Sequence, residues 1–387
     1  MFDIDSSRLY SPFRTDEHHQ WREQLRRFVD REIAPFVSQW DEEGQLPQEL
    51  WPKAADVGLL PLGYPEAYGG IPGDIFHTIV AAEELARCGA GGLYASLMVH
   101  GIALPPVVHY GSPALREAVI PPVLRGERHI ALAVTEPGAG SDVANLQCRA
   151  ERDGDDFIVR GEKTFITGGM RANWFTAAVR TGGEGFGGIS LLLIPADAAG
   201  VERQALEQKQ GWWCSDTASI FFDGVRVPRA NLVGEENAGF LPIVHNFNSE
   251  RLGIAASCVE YSRVCLQEAI DWARERKTFG KRLADHQVIR HKFAQMLQRI
   301  NATAAYLELC AAAEQRGELG VADVSLLKVQ ATETMELCAR EAMQVMGGAG
   351  YMRGSRTERI YREVRVNAIG GGSEEILRDL ASRQMGI

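Results

Sequence analysis

Thr135-Glu136-Pro137-Gly138-Ala139-Gly140-Ser141-Asp142 can be neither a simple strand nor a helix, and the same holds for Lys163-Thr164-Phe165-Ile166-Thr167-Gly168-Gly169. Pro137 removes a backbone donor, Gly138 and Gly140 permit positive φ and close backbone approach, and Thr135, Ser141 and Thr167 supply short hydroxyls. That combination suits a wall laid against a flat polar ligand. A turn-rich surface loop would use similar residues, so either stretch alone says little. Two later stretches join them: Arg276-Lys277-Thr278-Phe279-Gly280 with His286-Gln287, and Gln344-Val345-Met346-Gly347-Gly348-Ala349-Gly350-Tyr351.

With these four motifs in this order and at these separations, the chain resembles the acyl-CoA dehydrogenase family of flavoenzymes from about residue 15 to about residue 380. The chemistry implied is desaturation of an acyl thioester, with loss of a proton from the α carbon and a hydride from the β carbon. No side chain accepts a hydride, so a cofactor must, and the resemblance implies FAD. By position, Leu132, Val134, Thr135, Gly140 and Ser141 would line the flavin ring, with Phe165 and Thr167 on its opposite side. Phe165 stands where many family members have Trp and still offers an aromatic face. Arg276, Thr278, Phe279, His286 and Gln287 would hold the adenylate half, together with Gln344, Gly347 and Gly348 from across a subunit boundary. Arg276 offers a fork to the pyrophosphate; the alternative is a helix C-terminal cation.

The resemblance also locates a base. Many relatives carry a catalytic Glu in a C-terminal Glu-Gly-Thr motif, but the matching stretch here is Ile369-Gly370-Gly371-Gly372-Ser373-Glu374-Glu375-Ile376, with Gly371 at the Glu position. A second branch, resembling the isovaleryl-CoA and long-chain enzymes, places its Glu on the first long C-terminal helix, where this chain has Glu250. Glu250 is therefore the expected catalytic residue, with Glu374 in reserve. A first-turn position would lower its pKa and desolvation would raise it, and desolvation is expected to dominate once substrate binds. The plainer alternative is a first-turn Glu favoured by the helix dipole.

Phe247, Asn248 and Arg251 match contacts on the CoA side, with Asn248 replacing an acid common in relatives. Ser141 is expected to touch substrate as well as cofactor, and Ser373 and Glu375 to lie on the flavin side. Gly370 and Gly371 remove two side chains beside the acyl pocket, leaving room for a branched or bulky chain, and Leu93 and Leu97 are expected to line its deeper wall. The implied activity is FAD-dependent α,β-dehydrogenation of an acyl-CoA to the 2-enoyl-CoA, in fatty-acid or branched-chain catabolism. Electrons would pass to an electron-transfer flavoprotein, and the protein would be a homotetramer built as a dimer of dimers. Rival readings are an acyl-CoA oxidase or flavin monooxygenase of the same fold, a carrier-protein thioester as substrate, or a catalytically silent scaffold or DNA-associated member.

The elements that must position these residues follow from composition and period. At 387 residues, with 45% hydrophobic and 24% charged residues, the chain can bury two or three domains. A net charge of −10 argues against nucleic acid or an anionic membrane surface as partner. Arg353, Arg356, Arg359, Arg362 and Arg365 are interleaved with Glu358 and Glu363, which favours a salt-bridged or subunit-contact segment over a phosphate track. Seven cysteines without a C-x-x-C pair suit a reducing compartment, and Cys258, Cys265, Cys310 and Cys338 read as core fillers. The nine histidines show no metal spacing, so no metal site is expected. The N-terminus lacks a secretory pattern and no segment reaches the ~20 apolar residues of a membrane span, which suggests a cytoplasmic or organelle-matrix enzyme.

The fold class expected is α+β: an N-terminal helical domain over 1–129, a small β-domain over 130–238 and a C-terminal four-helix bundle over 239–387. Thr15 and Asp74 cap N-terminal helices, Pro47 opens one and Ser112-Pro113 another. Short β-branched runs at Phe157–Val159, Phe175–Val179, Ile189–Ile194 and Ile220–Phe222 predict strands. Gly183-Glu184-Gly185-Phe186-Gly187-Gly188 satisfies G-x-G-x-x-G, but a strand follows it, so it reads as a hairpin loop. Asn248 or Ser249 would cap a helix to about Lys277, Asp285 one to about Gln315, Ala322 would open one to Met346, and Ser373 would cap the last.

Overall fold

The computed structural model describes residues 3–387, apart from the side chains of His245 and Asn246. Eight helices come first: α1 (Asp16–Glu32), α2 (Val37–Glu43), α3 (Leu50–Asp56), α4 (Ile75–Ala86), α5 (Gly91–Leu97), α6 (His100–Ala103), α7 (Pro105–Tyr110) and α8 (Pro113–Leu124). Thr15 and Asp74 are the N-caps of α1 and α4, and Asp74 Oδ1 accepts from His77 N at 3.0 Å. Ser112 caps α8, with Pro113 in the first turn where its missing N–H costs nothing. The short helices α2, α5, α6 and α7 escape sequence reading because one or two turns display no period.

Strands β1 (Ile130–Ala133), β2 (Arg149–Asp153), β3 (Asp156–Thr167), β4 (Trp174–Arg180), β5 (Ile189–Pro195), β6 (Val201–Ala205), β7 (Thr217–Pro228) and β8 (Leu232–Val233) form one mixed sheet. Their order is β6-β7-β3-β2-β4-β5-β8, with β1 parallel to β4. Gly183–Gly188 closes the antiparallel β4–β5 pair as the expected hairpin loop, with Thr181 and Gly182 N–H bonded to Gly188 O.

The rest is α9 (Phe240–Glu275), the small hairpin β9 (Lys277–Thr278) and β10 (Lys281–Arg282), α10 (Gln287–Gln315), α11 (Val321–Met346), α12 (Arg356–Ile369) and α13 (Glu374–Met385). Helix α9 begins at Phe240, not at the expected Asn248 or Ser249. Phe240 packs on Phe186 with ring centroids 4.0 Å apart, and Ile243 is buried beside β5, so tertiary packing extends the helix past residues that favour caps. Pro242 in the first turn is the signal that marks the true start. His286, not Asp285, caps α10, because Asp285 is turned to Arg282. Helices α9, α10, α11 and α13 are the four expected; α12 is a fifth, announced by the Ile360, Val364, Ala368 stripe that the arginine run obscured.

Helix α4 is buried on two sides, packing Val80, Ala81 and Leu85 into the N-terminal core and Phe76, Ile79 and Ala82 into the bundle. All seven cysteines are buried and free. No single helix among the described residues is long and apolar enough to cross a membrane. The arginines of 353–365 are salt-bridged as expected, with Arg356 on Glu268, Arg359 and Arg362 on Asp41, and Arg365 on Glu336.

Two buried acids join the three parts. Asp41 accepts from Cys214 N at 3.2 Å and from Arg362 at 3.0 Å. Glu363 accepts from Gly91 N at 2.7 Å and Trp212 N at 3.0 Å. Burial, and then the neighbouring Asp41 charge, pushes the Glu363 carboxyl up to about 7 against the pull of those two N–H groups. A carboxyl raised on folding contributes stability below its unfolded pKa and loses it as pH rises through the folded value. Urea unfolding of the parent and of Glu363→Gln from pH 4 to pH 8 should therefore show the parent losing on the order of 3 kcal/mol relative to the variant as pH rises through that interval. A pH-independent difference would place the titration elsewhere.

Candidate active site

The loop after β1 is fastened to β3 from below. Lys163, with 0% exposure, donates from Nζ to Glu136 Oε1 at 2.7 Å and to Val134 O at 3.0 Å. Glu136 also accepts from Gln147 N at 2.5 Å and Cys148 N at 2.9 Å, and Thr164 N donates to Thr135 O at 2.9 Å. The β3–β7 register then slips between Lys163 and Ile166, and Phe165 takes a φ of +58° with 69% of its surface exposed. An aromatic residue in the left-handed region costs roughly 1–2 kcal/mol and leaves apolar area in water. A ligand covering the ring would recover that area.

Leu132 and Thr135 are half-buried, Val134 is buried, Gly140 and Ser141 are exposed, and Thr167 is half-buried at the end of β3. A Cβ added at Gly138 would meet open space. Exposed aromatic face, short hydroxyls and bare backbone fit a flat heteroaromatic ring of the flavin kind. The donor set is of the right chemistry.

The second pair of motifs lies on the hairpin that precedes α10 and on the end of α11. Thr278, Phe279 and His286 meet in the β9–β10 hairpin: Thr278 Oγ1 lies 3.2 Å from His286 Nε2, and Phe279, at φ +49° and 98% exposed, stands edge-on to the imidazole at 6.4 Å. Arg276 closes the hairpin through its carbonyl, which accepts from Leu283 N at 2.7 Å, and Gln287 begins α10. Gln344, Gly347 and Gly348 lie exposed at the C-terminal end of α11, the end beside which the antiparallel α10 begins, as the Lys292–Glu341 and Thr303–Thr334 pairs show. Among the described residues no hydrogen bond or ion pair joins the hairpin to that end.

Glu250 projects from α9 three turns in, so the helix dipole expected to lower its pKa is out of play. Burial raises the carboxyl above its ordinary value, with Arg251 and Lys328 pulling the other way. Gly371 and Gly372 follow α12 at φ +68° and +106°. A Cβ on Gly371 would lie 3.8 Å from Glu250 Oε1 and 2.9 Å from Ile254 Cδ1. Side chains of α9 thus occupy the space a residue larger than glycine at 371 would claim. Arg251 Nε donates to Gly371 O at 3.2 Å, and its guanidinium stands 5.8 Å from the Phe247 ring. Asn248 is half-buried one turn away and Gly370 is exposed.

Glu374 is engaged by Thr332 at 3.2 Å and Arg378 at 3.4 Å, Ser373 caps α13 by backbone position and Glu375 is exposed. Leu93 and Leu97 are corrected: both sit fully buried in the N-terminal core, not on an open wall. The α5 residue at this site is Tyr94, whose hydroxyl stands 2.6 Å from where a Cβ on Gly253 would be, within electrostatic reach of Glu250. The sequence signal was Gly253, a glycine inside a long helix with a packing reason to be there. Spacing also missed a cluster of His18, Asp74 and His77, whose ligand atoms lie within 4.8 Å of one another. Its contacts are those of two helix caps: Thr15 N to His18 Nδ1 at 2.8 Å and His77 N to Asp74 at 3.0 Å.

Residues 15–127, 131–225 and 237–386 match the N-terminal, middle and C-terminal domains of acyl-CoA dehydrogenases. An acyl-CoA dehydrogenase of Alternaria alternata is 41% identical over 95% of this chain and 91% of its own. The mitochondrial long-chain specific acyl-CoA dehydrogenase of Rattus norvegicus is 35% identical over 99% and 89%. The crystal structure of a probable acyl-CoA dehydrogenase from Mycobacterium abscessus superposes with a TM-score of 0.94 at 45% identity, covering 96% of this chain and 99% of that one. The chain belongs to the acyl-CoA dehydrogenase family.

Lys163→Met removes the cation from beneath Glu136 and strands a buried carboxylate. Its cost should be about 3–5 kcal/mol in chemical unfolding, and limited proteolysis should cut within 137–142. The double variant Lys163→Met/Glu136→Gln, which removes the stranded charge and keeps an acceptor for the 147–148 backbone, should recover part of that loss; no recovery would mean that the stranded charge is not the source of the loss.

Proposed function

We propose that this dehydrogenase desaturates an acyl-CoA at its α,β bond with FAD as cofactor and Glu250 as the base. The observation that carries the reading is the apposition of Glu250 and Gly371. A carboxylate from α9 stands where the C-terminal turn has no side chain of its own. Burial raises its pKa, which makes it a stronger base than an exposed Glu, while Arg251 and Lys328 retain an ionised fraction. Gly371 N–H has no acceptor among the described residues and is available to the developing enolate oxygen.

FAD, when bound, supplies the acceptor for the β hydride. Leu132, Val134, Thr135, Gly140, Ser141, Phe165 and Thr167 would hold its ring, with Ser373 and Glu375 beside it. Arg276, Thr278, Phe279, His286 and Gln287 would take the adenylate half, completed by Gln344, Gly347 and Gly348 of a second subunit. That division requires more than one subunit, and a homotetramer would supply it. Phe247, Asn248 and Arg251 would line the CoA side, Ser141 would reach the thioester, and the bare Gly370-Gly371 turn would admit a branched or bulky acyl chain. Electrons would leave to an electron-transfer flavoprotein.

Two substitutions test the halves separately. Glu250→Gln should lower kcat by ~10³–10⁴ with flavin content and Tm unchanged; parent-like rates on straight, branched and aromatic acyl-CoAs would place the base elsewhere. Phe165→Gly should stabilise the flavin-free protein by about 1 kcal/mol by relieving φ strain and yet weaken flavin retention. Unchanged flavin affinity would remove Phe165 from the cofactor site.

A further inference from the structure

Lys328 lies in none of the motifs that suggested function. It sits on α11 with no exposure, and its Nζ donates to Gly372 O at 2.9 Å. Arg251, from α9, holds the preceding carbonyl, Gly371 O, at 3.2 Å. Two cations from two helices therefore grip consecutive carbonyls of a turn whose two glycines both have positive φ. The titratable and charged groups facing the Lys328 ammonium are Glu250, Arg251 and Cys258 from α9 and Glu374 from α13. Glu374 is already engaged by Thr332 and Arg378. The Cys258 thiol, pushed up to about 12 by burial, is neutral. Glu250 is the remaining negative group.

We propose that Lys328 is a positioning residue for proton abstraction: its buried ammonium pins the Gly371-Gly372 turn beside Glu250 and supplies a positive charge facing that carboxylate. This rests on Glu250 being the base. A buried carboxylate alone holds its proton more tightly than an exposed one; a facing cation lowers its pKa without donating a proton to it. Burial pushes the Lys328 ammonium itself down to about 8, countered by the carboxylates of Glu374 and Glu250. Both charges therefore coexist only in a window bounded below by Glu250 and above by Lys328.

The test is the pH profile of kcat/KM for the parent, Lys328→Gln, Lys328→Met and Glu250→Gln holoenzymes. Lys328→Gln keeps a donor for Gly372 O and drops the charge, so it remains informative where Lys328→Met fails to fold. Its acid limb should move up by about one pH unit. Exchange of the α hydrogen with D2O, measured on the reduced holoenzyme where no hydride can be accepted, should shift equally. A Lys328→Gln limb that coincides with the parent's, with Glu250→Gln inactive, overturns the role of Lys328 and leaves the base in place. Full activity in Glu250→Gln overturns both.

Discussion

A lysine without solvent contact is stable only where its charge is met, and Lys163 meets Glu136 at 2.7 Å. That pair sits between β1 and β3, and the same carboxylate holds the start of β2 through Gln147 N and Cys148 N. Arg180 completes the fastening by donating to Leu146 O at 2.9 Å and Ala144 O at 2.6 Å. The loop from 134 to 148 is therefore fixed at both ends, and its freedom is confined to Pro137–Asp142, where backbone is offered to a ligand. The bulge that turns Phe165 outward begins directly after Lys163, so the ion pair also sets where the aromatic wall stands.

The carboxylate of the site is supported differently. Glu250 belongs to a helix of 36 residues, whose buried face runs through Leu252, Ala255, Ala256 and Val259 in the bundle core. A side chain on such an element is held more tightly than one on a turn between helices. Moving the acid to α9 has a steric consequence at residue 371, where Ile254 and Glu250 fill the space and φ is positive. Glycine satisfies both demands at once. The absence of a larger side chain at 371 is in this sense a packing requirement of α9.

The three-part fold was legible because its long elements are periodic: Trp21, Leu25 and Phe28 on α1, or Val324, Leu327 and Ala331 on α11, repeat at helical spacing and are buried. Glu250 was legible only jointly with Gly371, since neither residue means much alone. The start of α9 was not, because Asn248 and Ser249 are good caps and the packing of Phe240 on Phe186 is remote in sequence. Leu93 and Leu97 misled for a related reason: an apolar residue on a two-turn helix reads the same facing a pocket or facing the closed core. Lys328 gave no signal at all. A lysine in a helix is expected at the surface, and its burial depends on a glycine carbonyl 44 residues away.

One of the two acids that join the three parts, Glu363, lies on the helix that leads into the turn beside Glu250. Glu363 and Gly370 are about two helical turns apart on α12, and Arg359 and Arg362 on the same helix reach Asp41. Arg362 also stacks over Trp213 at 3.7 Å, so the middle domain is gripped by α12 through both backbone and ring. A displacement of the 211–214 loop would be carried along α12 to the carbonyls held by Arg251 and Lys328. The geometry at Glu250 is thus a property of all three parts in contact, because the helix that seals them together ends at the turn against which the carboxylate is set.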